Sequence, residues 1–350
     1  MVVEGLGEKG TVVTNESSMR VYERLLRDPP SGPEVPFRPH RPDAYSVDGR
    51  SVVAVVRSES RVEGITKALQ LIGGVKPIVE GVEGEILIKP NCNTDDPFPR
   101  DTHPETVRAI AGSLISAGFP AERIVLGEIS GRFRGLPTRH TLANIGITEA
   151  ADGLGLQLSC FDEEDWVTVR PPGSTAWPDG IRIPRRVYEA DRVILTPIMR
   201  PHGTATFTIS LKLAVGMIDA VGREWLHNGE DFYEKMVELN LAYSADLVVA
   251  DATEIYVDSG PTFREVAEPG VIIAGSNRVA ADAACVALMK RYGVHGVSDE
   301  PVLEHEQFAI GEGLGLGSPW LDKIDLRASN LAGDENFDEL ISGIRMELTG

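Results

Sequence analysis

Hydrophobic positions fall into short, regularly spaced blocks from Ser51 onward. Val52–Val56 is a compact apolar run after an Asp48-Gly49 turn and predicts a strand. Ser60-x-x-Glu63 has the form of a capping box. Val62, Ile65, Leu69 and Ile72 follow at helical spacing until Gly73-Gly74 stops the pattern. Further strands are expected at Glu85–Lys89, Arg123–Leu126, Arg192–Leu195, Leu247–Ala250, Val271–Ala274 and Ile324–Arg327. The helices between them are expected from a Thr102-x-x-Glu105 cap to Gly118, then over Thr208–Ala220, Phe232–Leu241 and Arg278–Tyr292. Such alternation predicts an α/β fold, a mainly parallel sheet with helices on both faces. Ligands of such sheets bind beyond the carboxyl ends of the strands.

The ends and one internal segment break this rhythm. Residues 1–45 are expected as an arm: a short helix over Met19–Arg27, then Pro29, Pro30, Pro33, Pro36, Pro39 and Pro42, which forbid regular structure. An arm of this kind wraps the body or a neighbouring subunit, so a homo-oligomer is one expectation. Residues 46–330 form the α/β body. Within it, 150–191 reads as an insertion or smaller irregular lobe, and 331–350 as a C-terminal tail.

Composition narrows the function. The 350 residues carry 34 basic and 53 acidic side chains, a formal charge of −19. That field repels phosphate backbones and argues against nucleic acid as a partner. Lysine supplies only 8 of the basic residues. Cys92, Cys160 and Cys285 have no metal-ligand spacing, and three thiolates are too few for an iron–sulfur cluster of the chain's own. Few cysteines, no signal-like N-terminus and no long apolar run predict a cytoplasmic protein without a membrane partner.

One stretch is chemically unusual. In the apolar run Ile209–Ile218, Lys212 stands alone among residues typical of a buried helix, with Gly216 one turn later. An ammonium is rarely buried without a partner, so Lys212 is expected to face a cavity, where it can bind an anion or bond to a ligand. Glycine gives up about 1 kcal/mol of helix stability and is expected to leave space beside it. His103, His202 and His227 fall at predicted loops or helix ends and join Lys212 as candidates for acid/base or metal chemistry. His140 reads as an ordinary helical residue. Lys89 and Asp251 end predicted strands. Arg132 lies in the glycine-rich stretch Gly127–Gly135, whose spacing lacks the dinucleotide and Walker patterns. Asp282 is expected to pair with Arg278, one turn away on the same helix.

Several of these motifs carry a resemblance. Ile86-Leu-Ile-Lys-Pro-Asn, Thr102-His-Pro-Glu-Thr-Val-Arg, Pro201-His-Gly-Thr, Ser210-Leu-Lys-Leu-Ala-Val-Gly, Asp258-Ser-Gly-Pro-Thr and Ser276-Asn-Arg-Val-Ala-Ala-Asp resemble, in order, the domain of unknown function 362 family. Many of that family's members are associated with ferredoxin-type clusters, which this chain lacks. More distantly, the order His103, His202, Lys212, His227 is similar to the nickel-pincer lactate racemase family. That resemblance implies a covalent pincer cofactor on Lys212, nickel on His227, and His103 and His202 as the acid/base pair. The expected site therefore comprises His103 and His202 as catalytic residues, Lys212, Lys89, Asp251 and Arg132 as cofactor or ligand contacts, and His227 as metal ligand. The expected function is that of an enzyme, racemase-, epimerase- or oxidoreductase-like, acting on a small hydroxy acid-like anion by histidine acid/base chemistry with a metal or bound cofactor. The alternatives are a non-catalytic small-anion binding protein, and a redox accessory that partners an iron–sulfur protein.

Overall fold

The computed structural model describes residues 11–258 and 265–350. Of the motifs above, Ser259, Gly260, Pro261 and Thr262 lie outside the described residues, as do positions 1–10 of the arm. In chain order the first strands are β1 (Ser51–Arg57), β2 (Ile86–Pro90), β3 (Ile124–Glu128), β4 (Gln157–Cys160), β5 (Trp166–Val169), β6 (Ile181–Pro184) and β7 (Arg192–Thr196). They are followed by β8 (Arg200–His202), β9 (Thr206–Thr208), β10 (Leu247–Ala252), β11 (Ile255–Tyr256), β12 (Val266–Ala267), β13 (Val271–Gly275) and β14 (Ile324–Asn330). Eight of these make one sheet in the order β14-β1-β13-β10-β7-β2-β3-β4. β13 pairs antiparallel with both β1 and β10, while every other neighbouring pair is parallel. The fold is α/β, as the alternation predicts.

The strands are apolar on both faces because both faces are covered. Val53, Val55, Leu87 and Ile273 point into one core, and Val52, Ala54, Val56, Ile86 and Ile88 into the other. This is the two-residue period of a pleated strand buried on both sides. From β2 the chain runs outward through β3 to β4, then returns through β7 and moves the other way to β10. The reversal between β2 and β7 opens a crevice at the carboxyl ends of these strands.

The 150–191 segment holds the β5–β6 hairpin, whose Trp166, Val167, Val169, Ile181 and Ile183 join the first core. The proline-rich arm runs along it, with the Val35 amide donating to the Thr168 carbonyl and the Thr168 amide to that of Pro33. The segment expected as a tail contains the helix Phe337–Glu347, which buries Phe337, Leu340, Ile341 and Ile344.

Two expected helices differ in detail. The helix after β2 spans Pro104–Ser116 and is capped by His103, not Thr102. Thr102 is occupied elsewhere: its hydroxyl accepts from the Asn91 amide and donates to the Thr196 carbonyl. In place of one helix over Thr208–Ala220 there are three pieces: the end of the β8–β9 hairpin, a single turn Ser210–Leu213 continued as a 3-10 turn Ala214–Met217, and a helix Ala220–His227. Asp219 starts that last helix by accepting from the Gly222 amide. Apart from Lys212, Val215 and Gly216, which face the cavity, the run is buried, so no helical period exists in it to mark the breaks.

Candidate functional site: a cationic cavity at the sheet's switch point

At the carboxyl ends of β2 and β3 lies a cavity of about 500 Å³. Lys89, Arg132, His202, Lys212 and His227 all line it. Of the seven residues expected in one site, the structure brings these five to the cavity and leaves His103 and Asp251 outside its lining.

Their surroundings explain the separation. His103 Nδ1 accepts from the Glu105 amide at 3.1 Å to cap its helix, and the ring packs edge-on against Phe98. Burial, with the Arg61 guanidinium adding to it, lowers its pKa, as expected for a histidine at a helix N-terminus. Asp251 closes β10 with both carboxylate oxygens engaged. One accepts from Arg61 Nε at 2.7 Å and Thr106 Oγ1 at 2.6 Å, the other from the Thr253 amide and hydroxyl.

Lys89 does not reach solvent. It is fully buried and donates to the Pro90 carbonyl at 2.7 Å and to Glu128 Oε1 at 2.5 Å. Glu128 Oε2 accepts from the Cys92 amide, and Oε1 from the Ile129 amide. Gly216 serves this pair. A Cβ there would stand 2.6 Å from Lys89 Nζ and 2.9 Å from Glu128 Oε1. The space that this glycine leaves is thus filled by Lys89 and Glu128.

Lys212 differs from Lys89 in having no hydrogen bond or ion pair among the described residues. Burial, then Arg200 and Arg223, push its pKa down to about 7. The turn that carries it is held by Asp282, which accepts from the Ser210 amide at 3.0 Å, the Ser210 hydroxyl at 2.6 Å and the Leu211 amide at 2.8 Å. This corrects the expected Arg278–Asp282 pair: Arg278 donates to Asn240 Oδ1. Burial raises Asp282 to about 7.

Arg200 and Arg223 are the residues sequence reading missed. Both are buried and line the cavity. Arg223 donates to the main-chain carbonyls of Ser130 and Ile129 at 2.6 and 2.7 Å. Burial lowers the pKa of each, though a guanidinium stays protonated in proteins. Their signal was their place, Arg200 opening β8 and Arg223 one turn before His227, hidden by how common arginine is here. Arg132, at the rim, pairs with Glu224 at 2.8 Å. Among the lining residues Glu128 alone is a carboxylate. A chain of net charge −19 thus gathers five basic side chains about one carboxylate.

His202 closes the β8–β9 turn with its own ring: Nδ1 accepts from the Thr204 and Ala205 amides at 3.2 and 3.1 Å. Lys212 chiefly, with burial, pushes its pKa down to about 2. By this hydrogen-bond pattern the neutral ring carries its proton on Nε2 and offers a donor there. His227 stacks on Phe232 at 5.7 Å, and burial followed by Lys212 lowers its pKa.

The glycines of the 127–135 stretch serve close packing. A Cβ on Gly131 would lie 2.3 Å from Asn93 Oδ1, and one on Gly135 the same distance from the Asn93 carbonyl. Arg134 pairs with Asp95 and Asp96. Among the described residues no three His, Cys, Asp or Glu side chains group as a metal site, and no helix is long and apolar enough to cross a membrane.

The lactate racemase apoprotein of Thermoanaerobacterium thermosaccharolyticum aligns with 65% of this chain and 56% of its own, at 18% identity and a TM-score of 0.38. This chain thus spans little more than half of that protein, and so low a score carries no argument about activity. A thylakoid-associated protein of Synechocystis, sll1697, is 26% identical over 245 residues, 66% of this chain and 72% of that protein. The family model described as domain of unknown function matches residues 86–287, which hold β2, β3 and the cavity residues from Lys89 to His227, and the chain belongs to that family, DUF362.

Proposed function

We propose that the cavity binds a small organic anion and that the chain acts on it as an enzyme, with Lys212 as the group nearest the reacting atoms. The observation that carries this reading is the convergence of Lys212, Arg200, Arg223, Lys89 and Arg132 on a cavity with one carboxylate, itself engaged by Lys89. A volume of about 500 Å³ suits a small metabolite. Lys212 and Arg223 face no partner carboxylate at hydrogen-bond distance, so an incoming carboxylate or hydroxy acid gains charge-assisted bonds without displacing an internal ion pair. The cytoplasmic setting belongs to this proposal, supported by three cysteines that are all free and buried.

The proposed chemistry is not a two-histidine proton exchange. His103 lies outside the cavity, and the Nδ1 lone pair of His202 is taken by two amides. A lysine-linked nickel group draws support from Lys212 and His227, which share the cavity, but none from His103, which lies outside its lining. We therefore assign the chemistry to Lys212 as a free amine.

A second reading, a non-catalytic anion carrier, draws support from Glu128, whose two oxygens are already engaged and which supplies no free base. Titration calorimetry against a panel of mono- and dicarboxylates, hydroxy acids and phosphate tests both. Loss of a charge-assisted bond in Arg200→Met is expected to weaken the best anion roughly tenfold or more. An absence of binding across the panel would refute the anion reading, and binding without turnover would select the carrier.

A further inference from the structure

Resting on the anion reading, we infer that Lys212 forms an imine with the carbonyl carbon of a small oxo acid held by its carboxylate in the cationic cavity. Two lysines line this cavity, and they differ in their partners. Lys89 Nζ is committed to Glu128 and the Pro90 carbonyl, so it could attack a carbonyl only by breaking that buried pair. Lys212 Nζ has no such partner among the described residues, and the charged groups that act on it, Arg200 and Arg223, are of like sign. Like charges and burial favour the uncharged amine, the form that attacks a carbonyl. The same arginines favour a carboxylate next to it. One set of cations therefore serves both halves of an oxo acid: it holds the acid and keeps the nucleophile neutral.

The remaining wall supplies the other requirement. As the amine lone pair bonds to the carbonyl carbon, the C=O π pair moves onto oxygen. His202 Nε2–H, with Nδ1 tied to the turn, is a neutral donor for that oxygen. The resulting carbinolamine gives up its hydroxyl and the proton from nitrogen as water, leaving C=N. Amine and carbonyl become imine and water, with no oxidant or reductant consumed. A hydroxy acid cannot take this path because its carbon carries no electrophilic double bond.

The test is borohydride trapping of the full chain with glyoxylate or pyruvate, followed by peptide mapping, with binding of the same probes measured separately. The expected result is a secondary amine on the peptide containing Lys212, at least tenfold above that on Lys323, whose side chain is 61% exposed. Trapping should fall below a tenth in Lys212→Arg, which keeps a cation, and in Lys212→Met. Its rate should rise through a midpoint near pH 7, following the amine. Adducts spread evenly over exposed lysines, or unchanged in both variants, would overturn the inference. Probes that bind the cavity but are not trapped would also overturn it while leaving the anion reading intact. Probes and panel anions that fail to bind would remove both.

Discussion

Gly216→Ala isolates the buried pair on which one wall of the cavity rests. The new methyl would stand 2.6 Å from Lys89 Nζ, closer than real Cβ atoms approach a neighbour. The nearest atom is the end of a long side chain, which would ordinarily swing aside. Here it is held by Glu128 at 2.5 Å and the Pro90 carbonyl at 2.7 Å, in a side chain with no exposed surface. Moving it breaks a buried ion pair, at about 3–5 kcal/mol. Keeping it forces the 3-10 turn Ala214–Met217 outward, an overpacking cost of about 1–3 kcal/mol. Replacing glycine by alanine returns at most about 1 kcal/mol in helical preference. The cheaper of the two routes sets the cost, so the net expectation is a loss of about 1–2 kcal/mol against a typical total of 5–15 kcal/mol. Urea denaturation of wild type and variant measures this, read as the shift in midpoint at unchanged slope. Repeating the substitution in a Lys89→Met/Glu128→Leu background closes the cycle: with the pair gone, the alanine should cost much less. A variant as stable as wild type, or an equal loss in both backgrounds, would refute the account of why glycine stands here.

Two further outcomes follow from the charges. Lys212 has a folded-state pKa near 7, below its unfolded value, so the folded state disfavours its proton. The corresponding stability is present above the unfolded value near 10.5 and is lost as pH falls through 7. Lys212→Met should therefore melt higher than wild type at pH 7, with the advantage shrinking toward pH 10; equal or lower melting temperatures at pH 7 would contradict the burial of an unpaired amine. His103→Ala removes a cap and should cost about 0.5–2 kcal/mol of stability. Because His103 is not in the cavity wall, calorimetry should show anion affinity within about twofold of wild type (a change under 0.5 kcal/mol), and a tenfold loss would place it back in the site.

How much was legible depended on whether a signal was local. Val52–Val56, Leu247–Ala250 and Val271–Ala274 are short apolar runs, and each became a strand extended by a residue or two. The reversed direction of β13 had no local mark, since direction depends on which neighbours a strand finds. Lys212 stood out because a single charge in an apolar run is anomalous wherever the chain folds. The same signal could not show that Gly216 makes room for Lys89, which is 127 positions earlier and meets it only through the sheet. His103 and Asp251 had the right residue types at strand and helix ends. For Asp251 the strand order decides, since β10 lies beyond β7, whereas His103 follows β2 but is turned to cap its own helix.

The arm has a consequence for when the cavity exists. Tyr22, on the helix Asn15–Arg27, lines it, and its hydroxyl donates to Glu224 at 2.8 Å. Ser18 of the same helix donates to the Arg132 carbonyl at 2.7 Å and accepts from the Leu136 amide at 3.0 Å. These contacts join residues 114 to 202 positions apart. On an emerging chain the helix is made early and has nothing to close until Arg223 and Glu224 have been synthesised and folded. Of the sheet, only β1, β2, β3, β4 and β7 are synthesised before the chamber's last wall; β10, β13 and β14 come after it. Afterwards, detachment of this one helix exposes the interior without unfolding the sheet, at a free energy set by its own few contacts. Exchange of its amide hydrogens with solvent would report how often the chamber stands open, independently of how stable the rest of the molecule is.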